Sequence, residues 1–150
     1  MRIALWLHLL AVVVWVGGMF FAHVALRPAV QALAPPIRLP LLVATLGAFF
    51  RWVVAAVGIL LVTGFFMIVA LGGFASVGAY VHVMTTLGLM MAVIFAYILA
   101  APFPRVRAAV AAQSWADAAA PMGRIRRLVG VNLVLGLITL TVAILGHSVI

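Results

Sequence analysis

Cysteine and lysine are absent from this chain of 150 residues, and Asp117 is its only acidic residue. Without cysteine the chain can form no disulfide, no thiolate metal site and no cysteine nucleophile. A single acid leaves no pair of carboxylates for general acid–base catalysis and no acidic proton relay inside an apolar segment. These absences exclude the common catalytic schemes, and we assign no catalytic residue.

Long apolar segments dominate what is present. Hydrophobic residues make up 69% of the chain and charged residues 7%, with a mean hydropathy of +1.44, a composition foreign to soluble domains. About 20 helical residues cross a hydrocarbon core of about 30 Å, and the segments long enough are residues 3–26, 51–72, 79–100 and 128–148. Their apolar runs are continuous, not alternating, which excludes a barrel. The sequence predicts an all-α membrane protein, a four-transmembrane-helix bundle forming a single domain over residues 1–150.

The nine arginines lie mostly on one side of the predicted bundle. Eight are in or beside the loops 27–50 and 101–127, whereas Arg2 is on the opposite side. By the positive-inside rule we expect both loops in the cytoplasm and both termini outside. The net charge of +8 is then a topology signal, and the expected partner of these arginines is the lipid bilayer, not nucleic acid.

The loops carry signals of their own. Prolines at positions 28, 35, 36 and 40 should end the first helix and delay re-entry, with a short interfacial helix starting near Leu41. Part of the alanine-rich loop 101–127 is expected to lie on the membrane surface as a helix. The short connection at residues 72–78 makes the second and third helices antiparallel neighbours.

A weak internal repeat relates the two halves at an offset of 74 residues. The segment Trp6-Leu7-His8 matches Tyr80-Val81-His82, and the position of His23 matches Tyr97. The sequence therefore predicts a two-fold repeat of helix pairs, about an axis along the membrane normal.

Four histidines are set into these apolar segments. Within the predicted topology, His8, His82 and His147 lie near the outer face, each within about 10 Å of its helix end. His23 lies 15 residues after His8, near the inner side, where Tyr97 is its repeat equivalent. Because polar groups at membrane depth are costly and mostly functional, the outer trio is the candidate site.

The chemistry of that site leaves two interpretations open. Neutral imidazoles without a carboxylate suit copper or zinc, and Met67 lies at a similar depth to supply a thioether for Cu(I), so the predicted metal ligands are His8, His82, His147 and Met67. Alternatively, His8 and His82 are the axial ligands of a haem b, with His23 and Tyr97 near the inner side as further cofactor-binding positions. A haem protein of this kind would be a membrane cytochrome or oxidoreductase, with a quinone as partner.

The first helix resembles that of the copper-resistance D (CopD) family, through the run Leu7-His8-Leu9-Leu10-Ala11-Val12-Val13-Val14-Trp15-Val16-Gly17-Gly18-Met19-Phe20. The segments around His82 and from Ile125 to Leu133 are similar to it as well. This resemblance implies a bacterial inner-membrane protein of copper uptake or resistance, with periplasmic termini, a periplasm-facing copper site and a periplasmic copper-binding partner.

A more distant similarity is to the HemJ-type protoporphyrinogen oxidases. Those proteins share a four-helix core and a W-x-H-x-K pattern on the third helix, which here is Tyr80-Val81-His82-Val83-Met84. Met84 stands where those proteins have the lysine. The resemblance therefore implies haem binding, whereas the charged residue expected for the oxidase activity is missing. The glycine-rich helices also suggest a homodimer.

The predicted topology can be tested with reporters fused after residue 45, after residue 112 and at the C-terminus. A reporter that is active only outside the cytoplasm should work at the C-terminus and fail in both loops, because eight arginines hold those loops inside. Activity of the reporter after residue 112 would contradict the common depth of His8, His82 and His147.

Overall fold

Long helices make up nearly all of the computed structural model, which describes residues 1–147 and, for His147, only the backbone. We number them α1 (Arg2–Ala32), α2 (Pro35–Ala70), α3 (Ala79–Ala100), α4 (Pro102–Ala111) and α5 (Trp115–His147). A 3₁₀ turn at Phe74–Ser76 connects α2 to α3, and residues 1–147 contain no strand. Four helices are long and apolar enough to cross a membrane, which confirms the predicted fold class.

The helices extend beyond the segments expected to cross the membrane. At 1.5 Å per residue, α2 is about 54 Å long and α5 about 50 Å, well over a hydrocarbon core of about 30 Å. The surplus of both lies at their N-terminal ends, within what the sequence presented as loops 27–50 and 101–127. Pro35 and Pro36 occupy the first helical positions, where no N–H is needed, and Pro40 is accommodated inside the helix.

Helix α1 is irregular, whereas α3 is not. Two π-helical segments, Val13–Gly17 and Phe21–Leu26, interrupt its α-helical geometry, and a 3₁₀ turn at Val30–Ala32 ends it. A π-helical turn widens the helix and changes the direction of the side chains after it. The second segment contains His23 and leads directly to Arg27.

The helices associate as two pairs. Helix α1 packs along α2, while α3 and α4 pack along α5, and the side of α1 also contacts α5. The sequence repeat predicts such pairs, although the two halves differ locally because only α1 contains π-helical segments among residues 1–147. Membrane helices gain little from the hydrophobic effect between them, so close packing must hold the pairs together.

Aromatic side chains join the two pairs. The Phe50 ring of α2 packs edge-on against Phe95 of α3 and Phe103 of α4, with centroid distances of 5.5 and 5.0 Å. Trp15 of α1 contacts Phe95 at 6.1 Å. Edge-to-face pairs add stabilisation beyond the area they bury, so this cluster fixes all four elements around one buried centre.

Small residues allow the helices to approach within each pair. A Cβ atom at Gly18 of α1 would overlap the ring of Phe49 in α2, and one at Gly146 of α5 would overlap Tyr80 in α3. The adjacent Gly17 has nothing within 4 Å of its Cβ position. Gly18 therefore faces a neighbouring helix, and Gly17 does not.

We predict that Gly18→Val lowers the thermal stability of the detergent-solubilised protein and that Gly17→Val does not. Overpacking of this kind costs about 1 to 3 kcal/mol, whereas the change in helix propensity is shared by the two variants. Equal melting temperatures for the two variants would contradict the close contact between α1 and α2.

Candidate metal site

The bundle has two chemically different ends. The histidine end contains the start of α1, the end of α2, the start of α3 and the end of α5, with His8, His82 and the backbone of His147. The arginine end contains the end of α1, the start of α2, α4 and the start of α5. Its arginines are Arg27, Arg38, Arg51, Arg105, Arg107, Arg124, Arg126 and Arg127.

His8 lies at the interface between α1 and α2. Its Nδ1 is 2.8 Å from Oγ1 of Thr63, and the face of α2 beside its ring has no side chain at Gly64, where an added Cβ would be 3.5 Å from Cε1. His8 is half-buried and Thr63 is buried. The ring is therefore held by α2 in a defined orientation.

The hydrogen bonds of Thr63 indicate the tautomer of His8. A threonine hydroxyl carries one proton, and Thr63 Oγ1 donates it to the carbonyl oxygen of Ile59, 2.6 Å away. Oγ1 can then only accept from His8, so we infer that Nδ1 carries the ring proton. In the neutral ring the lone pair is on Nε2, the atom that can bind a metal ion.

Met67 lies one helical turn after Thr63, on the same face of α2 and closer to the end of the bundle. Its side chain is half-buried. The sequence predicts Met67 as a thioether ligand at a depth similar to that of His8, and this role stays a prediction. His8 and Met67 are on facing helices at this end.

His82 lies at the same end in different surroundings. It is exposed, and its ring is tilted against Phe74 with the centroids 5.6 Å apart. Phe74 in turn contacts Phe65 of α2 at 6.2 Å. Phe65 is two residues from Thr63 and so lies about 200° around α2 from it. His82 is therefore linked to the same end of α2 as His8 but to a different face, and the equal depth of the two histidines stays a prediction.

His147 ends α5, and its side chain is outside the described part of the chain. The preceding Gly146 lies against Tyr80 of α3, which brings the end of α5 beside the start of α3. Among the side chains that the structure describes, no three His, Asp or Glu residues form a group that could hold a metal ion. The full set of four ligands therefore stays a prediction.

His23 and Tyr97, the two residues predicted near the inner side, contact different parts of α5. His23, half-buried in a π-helical turn, faces Gly130, where an added Cβ would be 3.1 Å from its Cε1. Tyr97 is exposed, and its hydroxyl oxygen accepts a 3.1 Å hydrogen bond from Arg124. Each aromatic ring thus has its own position along α5.

Asn132 is the most buried polar side chain within residues 1–146, at 1% exposure. Its Nδ2 donates to the carbonyl oxygen of Met91, 3.1 Å away, and joins α5 to α3. Its Oδ1 accepts no hydrogen bond from the described residues. Asn132 thus provides a polar contact between two membrane helices.

Sequence reasoning did not pair His8 with Thr63, although a signal was present. Both residues lie about two turns from the ends of antiparallel neighbouring helices, so equal depth would have selected them. The position of Phe74 beside His82 had no comparable signal, because a 3₁₀ turn in a connection does not follow from hydropathy.

Comparison with known proteins gave one family. The family model described as copper resistance protein D matches residues 43–145. This range contains Thr63, Met67 and His82, and it leaves out His8, His23 and His147. No curated protein and no solved structure matches the chain.

The tautomer of His8 can be measured by nitrogen NMR on protein labelled with ¹⁵N-histidine. We predict a protonated Nδ1 and an unprotonated Nε2 for His8 in the wild type, and a mixture of tautomers in Thr63→Val, which lacks the acceptor oxygen. Assignment uses the resonance lost in His8→Gln. A wild-type His8 protonated at Nε2 would contradict the hydrogen-bond assignment.

Proposed function

Because the chain belongs to the copper resistance protein D family, we propose that it handles copper in a bacterial inner membrane, through a site at its histidine end. In this proposal both termini and the histidine end face the periplasm. Copper is the cargo of the site, received from or passed to a periplasmic copper-binding protein. The protein needs no catalytic residue for this task.

The observation that carries the proposal is the orientation of His8. A histidine that binds a metal ion commonly donates its second ring N–H to a fixed acceptor, which sets the tautomer and the direction of the ligating nitrogen. Thr63 supplies such an acceptor at 2.8 Å, and its hydroxyl group donates its own proton to the carbonyl oxygen of Ile59. Nε2 of His8 is thereby prepared as a ligand before any ion arrives.

The donor set at this end favours copper over harder ions. Imidazole and thioether ligands suit Cu(I), whereas Mg²⁺ and Ca²⁺ require oxygen ligands, above all carboxylates. The single acid, Asp117, is in the first turn of α5 at the opposite end of the bundle. Among His8, Met67, His82 and His147 there is thus no carboxylate to attract a hard ion.

His82 and His147 complete the proposed site. The Phe65–Phe74–His82 contacts link His82 to the same end of α2 as Thr63, the partner of His8. His82 is exposed and its one described ring contact is to an aromatic side chain, which suits a ligand that exchanges with a partner protein. His8 and Met67 then form the inner half of the site, and His82 and His147 form the half that faces the partner.

Haem b is the second candidate, and the same feature favours it. An axial histidine also needs a fixed ring with Nε2 directed at the iron, and His8 has such a ring. His82 would be the second axial ligand. A haem would give the purified protein a Soret absorption band, which bound Cu(I) does not.

We predict that the purified protein is colourless and binds Cu(I) in stoichiometric amount, measured by competition with a chromophoric chelator. His8→Ala should abolish this binding, and Thr63→Val should weaken it about 10- to 100-fold, the usual effect of removing the partner of a metal-binding histidine. His23→Ala is the matched control, since it removes a histidine of α1 at the arginine end.

Two outcomes would contradict the copper site. Equal loss of copper in His8→Ala and His23→Ala would show that the histidine end has no special role. A Soret band that disappears in both His8→Ala and His82→Ala would establish the haem alternative in its place.

A further inference from the structure

A cavity of about 420 Å³ opens at the arginine end, between the end of α1 and the starts of α2 and α5. Its size is typical of ligand pockets. The polar side chains around it are His23, Arg27, Gln31, Arg38 and Arg126, and Trp115 borders it as well. None of these residues belongs to the proposed copper site at the other end.

The three arginines of this cavity have no acidic partner in the described chain. Asp117 is exposed and does not line the cavity. Arg38 donates a hydrogen bond of 3.3 Å to the carbonyl oxygen of Gln31, which orients its guanidinium without neutralising it. Arg27 and Arg38 are half-buried, so water screens the repulsion between their guanidinium groups only in part. A bound anion would remove this repulsion.

One helix N-terminus adds to this positive potential. Trp115 and Ala116, in the first turn of α5, line the cavity. The start of α2 offers no free N–H group, because Pro35 and Pro36 have none and those of Ile37 and Arg38 donate to the carbonyl oxygen of Ala34. The N-terminus of a long helix carries a partial positive charge, which favours a phosphate or carboxylate. The arginines and this helix end therefore select the same kind of ligand.

The rest of the lining is apolar and continues into the core. Leu39, Leu46, Ile125 and Val129 are buried side chains that also border the cavity. A small inorganic anion would leave this apolar part unused. A ligand with an anionic head and a hydrocarbon portion would use both parts, and the membrane supplies such molecules at high concentration.

The backbone of α1 is irregular beside this cavity. His23 and Leu26 both belong to the π-helical segment Phe21–Leu26 and both line the cavity. Single π-helical turns occur often at functional sites, because they direct side chains that a regular helix would point elsewhere. The corresponding part of α3 is regular α-helix, so the second half of the chain has no equivalent feature.

From these observations we propose that the cavity binds the phosphate headgroup of an anionic membrane lipid. Arg27, Arg38 and Arg126 bind the phosphate group, and the apolar lining accepts the first part of the acyl chains. Basic pockets between membrane helices on the cytoplasmic side are known to select anionic headgroups. A second cavity, beside Arg51 and Arg107, is a weaker candidate because Arg107 lies over the ring of Phe103 at 5.9 Å.

The test is native mass spectrometry of the full chain, released from detergent with equimolar phosphatidylglycerol and phosphatidylcholine. We expect one retained phosphatidylglycerol per chain. Arg27→Gln combined with Arg38→Gln should weaken its retention about 30-fold, since each arginine near an anionic headgroup contributes about a fivefold factor. Arg105→Gln combined with Arg127→Gln is the matched control, with equal loss of charge at the same end and outside both cavities.

A second variant tests the cavity without changing any charge. Gly123 lines the cavity, and nothing lies within 4 Å of a Cβ atom added there, so Gly123→Phe should fold and obstruct the site. Gly58→Phe is its control, because Gly58 also has an open Cβ position and lies on α2 away from the cavity. Only Gly123→Phe should lose the lipid.

Three results would overturn the proposal. Equal weakening by the two arginine double variants would indicate general attraction to the charged surface. Equal retention of phosphatidylglycerol and phosphatidylcholine would remove the selectivity that the arginines should impose. Displacement of the lipid by millimolar inorganic phosphate would show that the cavity recognises a soluble anion.

Discussion

The shortage of acidic residues constrains everything else in this protein. With nine arginines and one aspartate, the chain cannot neutralise its cations internally, and buried unpaired charges are too costly to keep. Eight of the nine arginines therefore gather at one end of the bundle, where water and lipid headgroups are available. The other end has Arg2 as its one arginine and offers the imidazole and thioether groups of His8, His82 and Met67. One imbalance in composition thus produces an anion-attracting end and an end suited to a soft metal ion.

Hydropathy and arginine distribution were sufficient to predict an all-α bundle of four membrane helices, because the membrane leaves the chain few alternatives. They could not predict where α2 and α5 begin. Prolines at the first turn of a helix are compatible with it, so Pro35 and Pro36 start α2 where the sequence suggested a loop. The π-helical segments of α1 had no sequence signal either.

At the site, residue type and depth selected His8, His82 and Met67, but side-chain partners required coordinates. Thr63 holds His8 because two antiparallel helices bring them to one level, and we infer the ring tautomer from the hydrogen bond that Thr63 donates to the Ile59 carbonyl oxygen. His82 is different: its repeat equivalence to His8 describes sequence, whereas its neighbours are the rings of a connecting turn. The internal repeat, with His8 and His82 as equivalent positions, therefore stays a prediction.

We propose that Nε2 of His8 binds copper while Nδ1 remains bonded to Thr63. Because Cu(I) is diamagnetic, a titration of the ¹⁵N-histidine-labelled protein with Cu(I) observes both nitrogens directly. We expect a large shift of the Nε2 resonance of His8, with the Nδ1–H signal retained and the resonances of His23 unchanged. An unshifted Nε2 resonance at full copper occupancy, or loss of the Nδ1 proton on binding, would contradict it.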